Sequence, residues 1–282
     1  MEIASRTGSL AARHHRITGG AGIDLNVAET GNENGRPVLF IHGLSQCGLA
    51  WRKQLFSDLA DDLRLVAMDL RGHGQSERPP DGYDDQVNWA EDVHAVITTL
   101  NLERPILCGW SYGGVVIGDY IRRYGELAIG GICLVGAVSQ LGESVMPFLG
   151  EKFIATFPGL FSDEVEASIT ALKEFIGITT NSAPTIDDLY FTLGYNGVVP
   201  PYVRRALLSR TLNHEDVFQR LGVPVLIAHG LDDEIVLPTM SERHASLMPH
   251  AKTSYYDSIG HAPFFENPGR FNSELLAFSS TL

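Results

Sequence analysis

The sequence has little cysteine and no excess of basic residues. Its three cysteines, Cys47, Cys108 and Cys133, form no C-x-x-C pair, and two of them lie inside apolar runs. We therefore expect buried free thiols and no disulfide framework, which suits a reducing cytoplasm. The 21 Lys and Arg against 34 Asp and Glu give a formal net charge of -13, which argues against binding to a nucleic-acid backbone.

Long apolar runs and metal-ligand spacings are also missing. No run reaches the length of a bilayer span, and residues 1–6 lack the apolar segment of an export signal. The ten histidines show no H-E-x-x-H spacing, and no G-K-S/T sequence follows the Gly72-His73-Gly74 turn. We expect a protein with no membrane span, no export signal, no metal and no organic cofactor, in which Gly72-His73-Gly74 is a structural turn.

What the sequence does contain is an alternation of short buried strands and helices. Apolar, β-branched runs bounded by turn residues predict strands at residues 37–42, 63–69, 105–110, 131–135, 224–229 and 253–256. Apolar residues three and four apart predict helices at residues 51–60, 86–100, 112–124 and 238–248. This alternation is typical of a parallel sheet that helices cover on both faces. Around Gly19-Gly20, alternating apolar and polar residues at 13–18 and 23–30 predict a hairpin at one sheet edge.

One long segment departs from the alternation. Between residues 139 and 214 the strand pattern stops, and helical patterns appear at residues 163–175 and 202–212 with several prolines around them. We interpret residues 139–214 as an inserted helical cap. It would divide a single core that comprises residues 1–138 and 215–282.

A serine lies where the strand at residues 105–110 meets the next helix. Gly109 and Gly113 stand two residues before and two residues after Ser111, in a G-x-S-x-G pattern. A serine on a tight strand-to-helix turn needs such neighbours, because side chains at these positions would collide across the bend. The position makes Ser111 the candidate nucleophile, and the alternative interpretation of the pattern alone is a glycine-rich loop.

The chain also contains the two further groups that an activated serine needs, a base and a group that orients the base. His261 follows the strand at residues 253–256, where a loop would aim its imidazole at the carboxyl edge of the sheet. The run Asp232-Asp233-Glu234 supplies carboxylates just past the strand at residues 224–229. Only one of the three need be catalytic, because an exposed acidic turn explains the others.

Two backbone amides complete the predicted site. A tetrahedral intermediate needs preorganised N–H donors, and the loss of one costs about 3 to 4 kcal/mol of transition-state stabilisation. The amide of Tyr112, directly after Ser111, is the first candidate donor. The amide of Leu44, freed by the bend at Gly43, is the second. We assign His42, before this bend, no catalytic role.

Together these motifs resemble those of the α/β-hydrolase superfamily, in its branch of serine esterases, lactonases and cofactor-free haloperoxidases. The matching segments are His42-Gly43 and residues 69–76, 109–114, 229–233 and 260–263. The resemblance implies a mostly parallel eight-stranded sheet with helices on both faces and an inserted helical cap. It also implies the chain order Ser111, Asp233, His261 for the catalytic residues, and it selects Asp233 because the family's acid falls three residues after the glycine of its motif.

The resemblance also narrows the chemistry. Related dehalogenases and epoxide hydrolases carry aspartate where this chain has Ser111, so acyl transfer is favoured. We expect hydrolysis of a small to medium apolar ester or lactone through an acyl-enzyme on Ser111, with Trp110 as a candidate substrate-binding residue. Two alternatives stay open. One is a cofactor-free haloperoxidase or perhydrolase that uses the same triad, and the other is a ligand receptor with vestigial hydrolase activity.

Overall fold

An eight-stranded sheet organises the part of the chain that the computed structural model describes, residues 12–282. The opening residues, where we expect no export signal, lie outside this range. The strands are β1 (Arg13–Thr18), β2 (Asp24–Gly31), β3 (Arg36–Ile41), β4 (Leu63–Met68), β5 (Ile106–Trp110), β6 (Gly131–Val135), β7 (Gln140–Leu141), β8 (Leu212–Asn213), β9 (Val225–Gly230) and β10 (Lys252–Tyr256). Their order in the sheet is β1-β2-β4-β3-β5-β6-β9-β10, and β7 pairs with β8 apart from it.

The sheet is parallel except at one edge. Strands β4, β3, β5, β6, β9 and β10 are paired in parallel, whereas β1 with β2 and β2 with β4 are antiparallel. The predicted edge hairpin and the predicted parallel sheet are therefore confirmed. Every residue of β5 and β6 is buried, which explains why these strands appear in the sequence as short continuous apolar runs.

Twelve α-helices lie in the described part of the chain. They are α1 (Arg52–Leu55), α2 (Leu59–Asp62), α3 (Gln86–Thr99), α4 (Gly113–Tyr124), α5 (Glu151–Leu160), α6 (Val165–Gly177), α7 (Ile186–Gly197), α8 (Pro201–Ser209), α9 (Glu215–Phe218), α10 (Thr239–Leu247), α11 (Pro263–Glu266) and α12 (Pro268–Ser279). The single helix predicted at residues 51–60 is wrong. There, the Ser57 hydroxyl donates to the Gln54 carbonyl and accepts from the Leu59 amide, which divides the segment into α1 and α2.

Two apolar layers fix helices to the two faces of the sheet. Along β3, Leu39 and Ile41 belong to the layer that holds α3 and α4, whereas Val38 and Phe40 belong to the layer that holds α12. This alternation follows from the two-residue period of a strand. The sheet is thus covered on both sides, and its carboxyl ends are left to the loops.

The helical segment, here defined as α5 to α8, occupies the connection between β7 and β8. The helix predicted at residues 202–212 ends at Ser209, and Leu212–Asn213 instead forms β8, which pairs with β7. The two ends of the connection are therefore joined to each other. None of the helices within residues 12–282 combines the length and apolar character needed to cross a bilayer.

Candidate active site

Ser111 occupies the turn between β5 and α4 in a strained backbone conformation. Its φ of 54° lies in the left-handed region, which costs a residue other than glycine about 1 to 3 kcal/mol. A Cβ atom at Gly109 would lie 2.8 Å from the Gly113 carbonyl carbon, and one at Gly113 would lie 2.4 Å from the Ile41 oxygen. The two glycines therefore permit the tight turn that presents the serine.

Asp233 and His261 form a buried hydrogen-bonded pair at the ends of β9 and β10. His261 Nδ1 lies 2.7 Å from Asp233 Oδ2, and Asp233 Oδ1 accepts the amides of Ile235 and Val236 at 2.8 and 3.0 Å. Burial acts to raise the pKa of Asp233. The charges and hydrogen bonds of His261 and His229 outweigh burial and hold this pKa below its usual range, so Asp233 is a carboxylate.

His229 is a site residue that the sequence reasoning missed. Its Nε2 donates to the Val236 carbonyl at 2.8 Å and lies 3.0 Å from Asp233 Oδ2. Its position four residues before Asp233, in the same motif, was the available signal. The other two carboxylates of the acidic turn are elsewhere: Asp232 accepts a hydrogen bond from Asn181 at 3.2 Å, and Glu234 pairs with Lys152 at 2.7 Å on the surface.

The second nitrogen of His261 is free to accept a proton. With Nδ1–H donated to Asp233, Nε2 has its lone pair available, and this buried atom has no hydrogen-bond partner among the described residues. Trp110, adjacent to Ser111, donates from Nε1 to the His261 carbonyl at 2.9 Å. The strand that leads into Ser111 is thus fixed to the loop that carries His261.

The loop after β3 lies directly against Ser111. A Cβ atom at Gly43 would lie 2.9 Å from Ser111 Cβ and 3.5 Å from Ser111 Oγ. Leu44 and Tyr112, the two candidate oxyanion donors, are buried. Within residues 12–282 neither of their amides donates a hydrogen bond to the protein, so both remain available to a ligand.

Two buried histidines brace the loops around the site. His42 Nδ1 donates to the Gly43 carbonyl at 2.8 Å, and His42 Nε2 accepts the Leu70 amide at 3.0 Å. His73 bonds in the same way to the Arg71 carbonyl and the Ser45 amide. Burial lowers the pKa of His42 to about 4 and that of His73 to about 3. Both are therefore neutral at pH 7, and each ring connects a backbone carbonyl to a backbone amide.

A small cavity lies beside Trp110, under α6 and α7. It has room of about 40 Å³ for the centres of water-sized molecules. The residues that line it are Gln46, Ala50, Arg52, Trp110, Ile176, Thr179, Thr180, Pro184, Asp188, Thr192, Tyr195, Ala262, Phe264 and Phe265. Trp110, which is buried, is one of these lining residues. No group of three or more potential metal ligands occurs in the described part of the chain.

Known proteins are similar to this chain in sequence and in fold. Residues 36–268 match the family described as alpha/beta hydrolase fold. The structure of an esterase from Rhodococcus sp. ECU1013 superposes with a TM-score of 0.91 at 37% identity, over 95% of this chain and 99% of that one. A non-heme chloroperoxidase from Streptomyces lividans is 28% identical over 93% of this chain and 98% of its own length. A bifunctional esterase/perhydrolase from Acinetobacter calcoaceticus is 25% identical over 93% of this chain and 98% of its own length.

Proposed function

Because this chain belongs to the α/β-hydrolase family, we propose that it is a serine hydrolase that cleaves a carboxylic ester or lactone through an acyl-enzyme on Ser111. One observation carries the proposal. His261, which forms a buried pair with Asp233 and has an unpartnered Nε2, lies in a loop that a hydrogen bond from Trp110 joins to the strand directly before Ser111. This arrangement supports the proposed roles of Ser111 as nucleophile, His261 as its base and Asp233 as the orienting carboxylate.

In the proposed mechanism, Ser111 Oγ attacks the carbonyl carbon while His261 Nε2 accepts the serine proton. The amides of Leu44 and Tyr112 stabilise the oxyanion, and Asp233 stabilises the imidazolium that forms. Collapse of the intermediate breaks the ester bond, and His261 donates its proton to the departing alcohol. Water then attacks the acyl-enzyme with His261 again as base, which releases the acid and restores Ser111.

The residues around the turn support the proposed substrate class. We assign residues 139–214 the role of a cap, since α6 and α7 supply part of the lining of the cavity beside Trp110. This cavity is narrow, so the proposed substrates carry a short or compact apolar group on at least one side of the scissile bond. Trp110 would bind that group through its ring.

A fluorophosphonate probe tests the proposed nucleophile. Wild-type protein should label with one probe per chain and turn over p-nitrophenyl esters, with rates that fall as the acyl chain lengthens from acetate to octanoate. Ser111→Ala should lose both labelling and turnover, whereas Ser144→Ala, a hydroxyl outside the site, should keep both. Labelling that persists in Ser111→Ala would refute the assignment of the nucleophile.

The relatives favour perhydrolysis as a second candidate function. Two of the similar proteins are named chloroperoxidase and esterase/perhydrolase. The same triad would serve if hydrogen peroxide replaced water as the acceptor of the acyl group and released a peracid. Acetate-dependent bromination of monochlorodimedone that disappears in Ser111→Ala would support this activity, and its absence from the wild type at saturating peroxide would exclude it.

A further inference from the structure

A buried polar cluster lies behind the turn that presents Ser111. Arg210 donates from one terminal nitrogen to Tyr112 Oη at 2.8 Å and from the other to Asp119 Oδ2 at 2.7 Å. His214 Nε2 donates to Asp119 Oδ1 at 2.8 Å. All four side chains are buried. We call Tyr112, Asp119, Arg210 and His214 the Arg210 cluster.

The Arg210 cluster joins parts of the chain that are far apart in sequence. Tyr112 directly follows Ser111, and Asp119 lies two turns later on α4. Arg210 and His214 lie in the segment that leads from α8 back to the core. The His214 ring packs so closely on α4 that a Cβ atom at Gly118 would lie 2.4 Å from it. The cluster therefore fastens the exit of the helical segment to the start of α4.

The chemistry of the cluster makes this fastening rigid. The guanidinium is planar and holds its two acceptors in a fixed relative geometry, which a lysine cannot do. Asp119 balances its charge in a buried environment, and burial raises the pKa of Tyr112 to about 12, so the phenol stays neutral. The guanidinium also lies 5.3 Å from the centre of the Trp89 ring. Tyr112 consequently has little freedom to rotate.

We propose that Arg210 is a positioning residue for acyl transfer, which acts by holding Tyr112 through its phenol. This inference rests on the proposed function, in which the Tyr112 amide stabilises the oxyanion. The neighbouring Ser111 is in the left-handed region, and a strained residue keeps its conformation only if its surroundings enforce it. Arg210 supplies that constraint on the helix side of the turn. The hydrogen bonds from the Ser111 amide to Val135 and from the Val138 amide to Ser111 supply it on the strand side.

Three variants and one matched control test the role of Arg210. Arg210→Met and Tyr112→Phe each remove the hydrogen bond and leave the Tyr112 amide in the chain. Each should lower kcat for p-nitrophenyl acetate about 10- to 100-fold with KM within about 2-fold. The reason is that the Tyr112 amide stabilises the oxyanion, which develops in the transition state and is absent from the bound substrate. The double variant should be no slower than Arg210→Met, since both changes break the same contact.

The control is Arg204→Met, which removes another buried arginine. Arg204 lies on α8 and bonds to Leu160, Ser168 and Val199, all outside the cavity lining and the catalytic residues. It should lower the melting temperature as Arg210→Met does, with kcat unchanged. If Arg210→Met and Arg204→Met have the same kcat, Arg210 is merely structural and the proposal is overturned.

Hydrogen exchange supplies a readout that is independent of turnover. Mass spectrometry of peptides covering residues 111–116 should show faster amide exchange in Arg210→Met than in Arg204→Met. Equal exchange in the two variants would overturn the positioning role. If the wild type hydrolyses no ester, the proposed function fails. Amide exchange at residues 111–116 then decides by itself whether Arg210 holds the turn in position.

Discussion

The sheet edge that carries the candidate active site and the helical segment are held by different kinds of contact. At the edge, Asp233 and His261 are 3% and 1% exposed and are joined by a hydrogen bond of 2.7 Å. In the helical segment, α7 leaves Ile186, Tyr190 and Phe191 exposed at 65%, 69% and 43%, and buries only Asn196. Buried side chains that are held by hydrogen bonds keep one geometry, whereas a loosely packed helix can adapt. If the proposed function holds, we expect the core to carry out the chemistry and the helices to select the substrate.

The largest expected effect distinguishes two adjacent carboxylates in the loop after β9. Asp233→Asn should lower kcat for p-nitrophenyl acetate about 10⁴-fold, equivalent to about 5 to 6 kcal/mol, because His261 loses its orienting acceptor. Asp232→Asn changes an exposed neighbour and should leave kcat within about 2-fold, as surface substitutions usually do. Steady-state kinetics on both variants check this. A larger loss in Asp232→Asn would reassign the acid.

Buried neutral histidines should make the stability of the core depend on pH. The pKa values of His42, His73 and His244 are lowered by burial to about 4, 3 and 3. Below pH 6.5 the unfolded chain takes up protons at these positions and the folded chain does not. The free energy of unfolding should therefore fall with decreasing pH, by up to about 4 kcal/mol per pH unit near pH 5.

Urea denaturation at pH 7, 6 and 5 measures this slope. His244→Asn should reduce the slope by about 1.4 kcal/mol per pH unit, because one site of proton uptake is lost. His14→Asn removes an exposed histidine on β1 and should leave the slope unchanged. Identical slopes in the wild type and His244→Asn would contradict the prediction.

A smaller effect should follow from crowding the serine. Gly43→Ala places a methyl group 2.9 Å from Ser111 Cβ, so either the Leu44 amide or the serine must shift. A shift of this kind lowers kcat about 10²-fold, or about 2.7 kcal/mol. Gly269→Ala meets no atom within 4 Å and is the matched control, with kcat unchanged. Equal kcat values for the two variants would show that crowding at Gly43 does not disturb the active site.

The smallest expected effect concerns the attachment of α7. Arg52 pairs with Asp188 at 2.5 Å, and its guanidinium lies 4.7 and 4.8 Å from the ring centres of Phe191 and Phe265. Asp188→Asn should raise KM for butyrate esters about two- to five-fold with kcat retained, since partly exposed ion pairs contribute about 1 kcal/mol or less. Asp163→Asn, which breaks the exposed pair with Arg205, should leave KM unchanged. A fall in kcat without a change in KM would contradict this prediction and would indicate that α7 contributes to the chemical step.

The sequence predicted the strands of the core well because buried parallel strands leave a direct signature. Each of β5, β6 and β9 is buried throughout, and its apolar run is bounded by turn residues. The division of residues 51–60 could not be predicted, because Ser57 competes locally with helix hydrogen bonds and is an ordinary polar residue in the pattern. The boundaries of the cap stay a prediction.

For the site, sequence motifs were informative wherever a turn imposes a residue type. Glycines around Ser111 and the motif that contains Asp233 pointed to residues that the structure places at one edge of the sheet. His229 was missed because its role appears only when the turn after β9 brings its Nε2 to within 3.0 Å of Asp233. Arg210 was missed because its partners, Tyr112 and Asp119, lie about a hundred residues earlier, and no local pattern joins them.

By itself, the sequence determined the class of fold and the identity of the candidate nucleophile, base and acid. Strand burial, helix period and glycine turns each depend on a few neighbouring residues, so short sequence patterns are enough to predict them. Only the tertiary structure decided which buried groups face each other: His229 with Asp233, Gly43 with Ser111, and Arg210 with Tyr112. These contacts depend on how distant segments pack, because a hydrogen bond exists only when both of its atoms arrive within about 3 Å of each other.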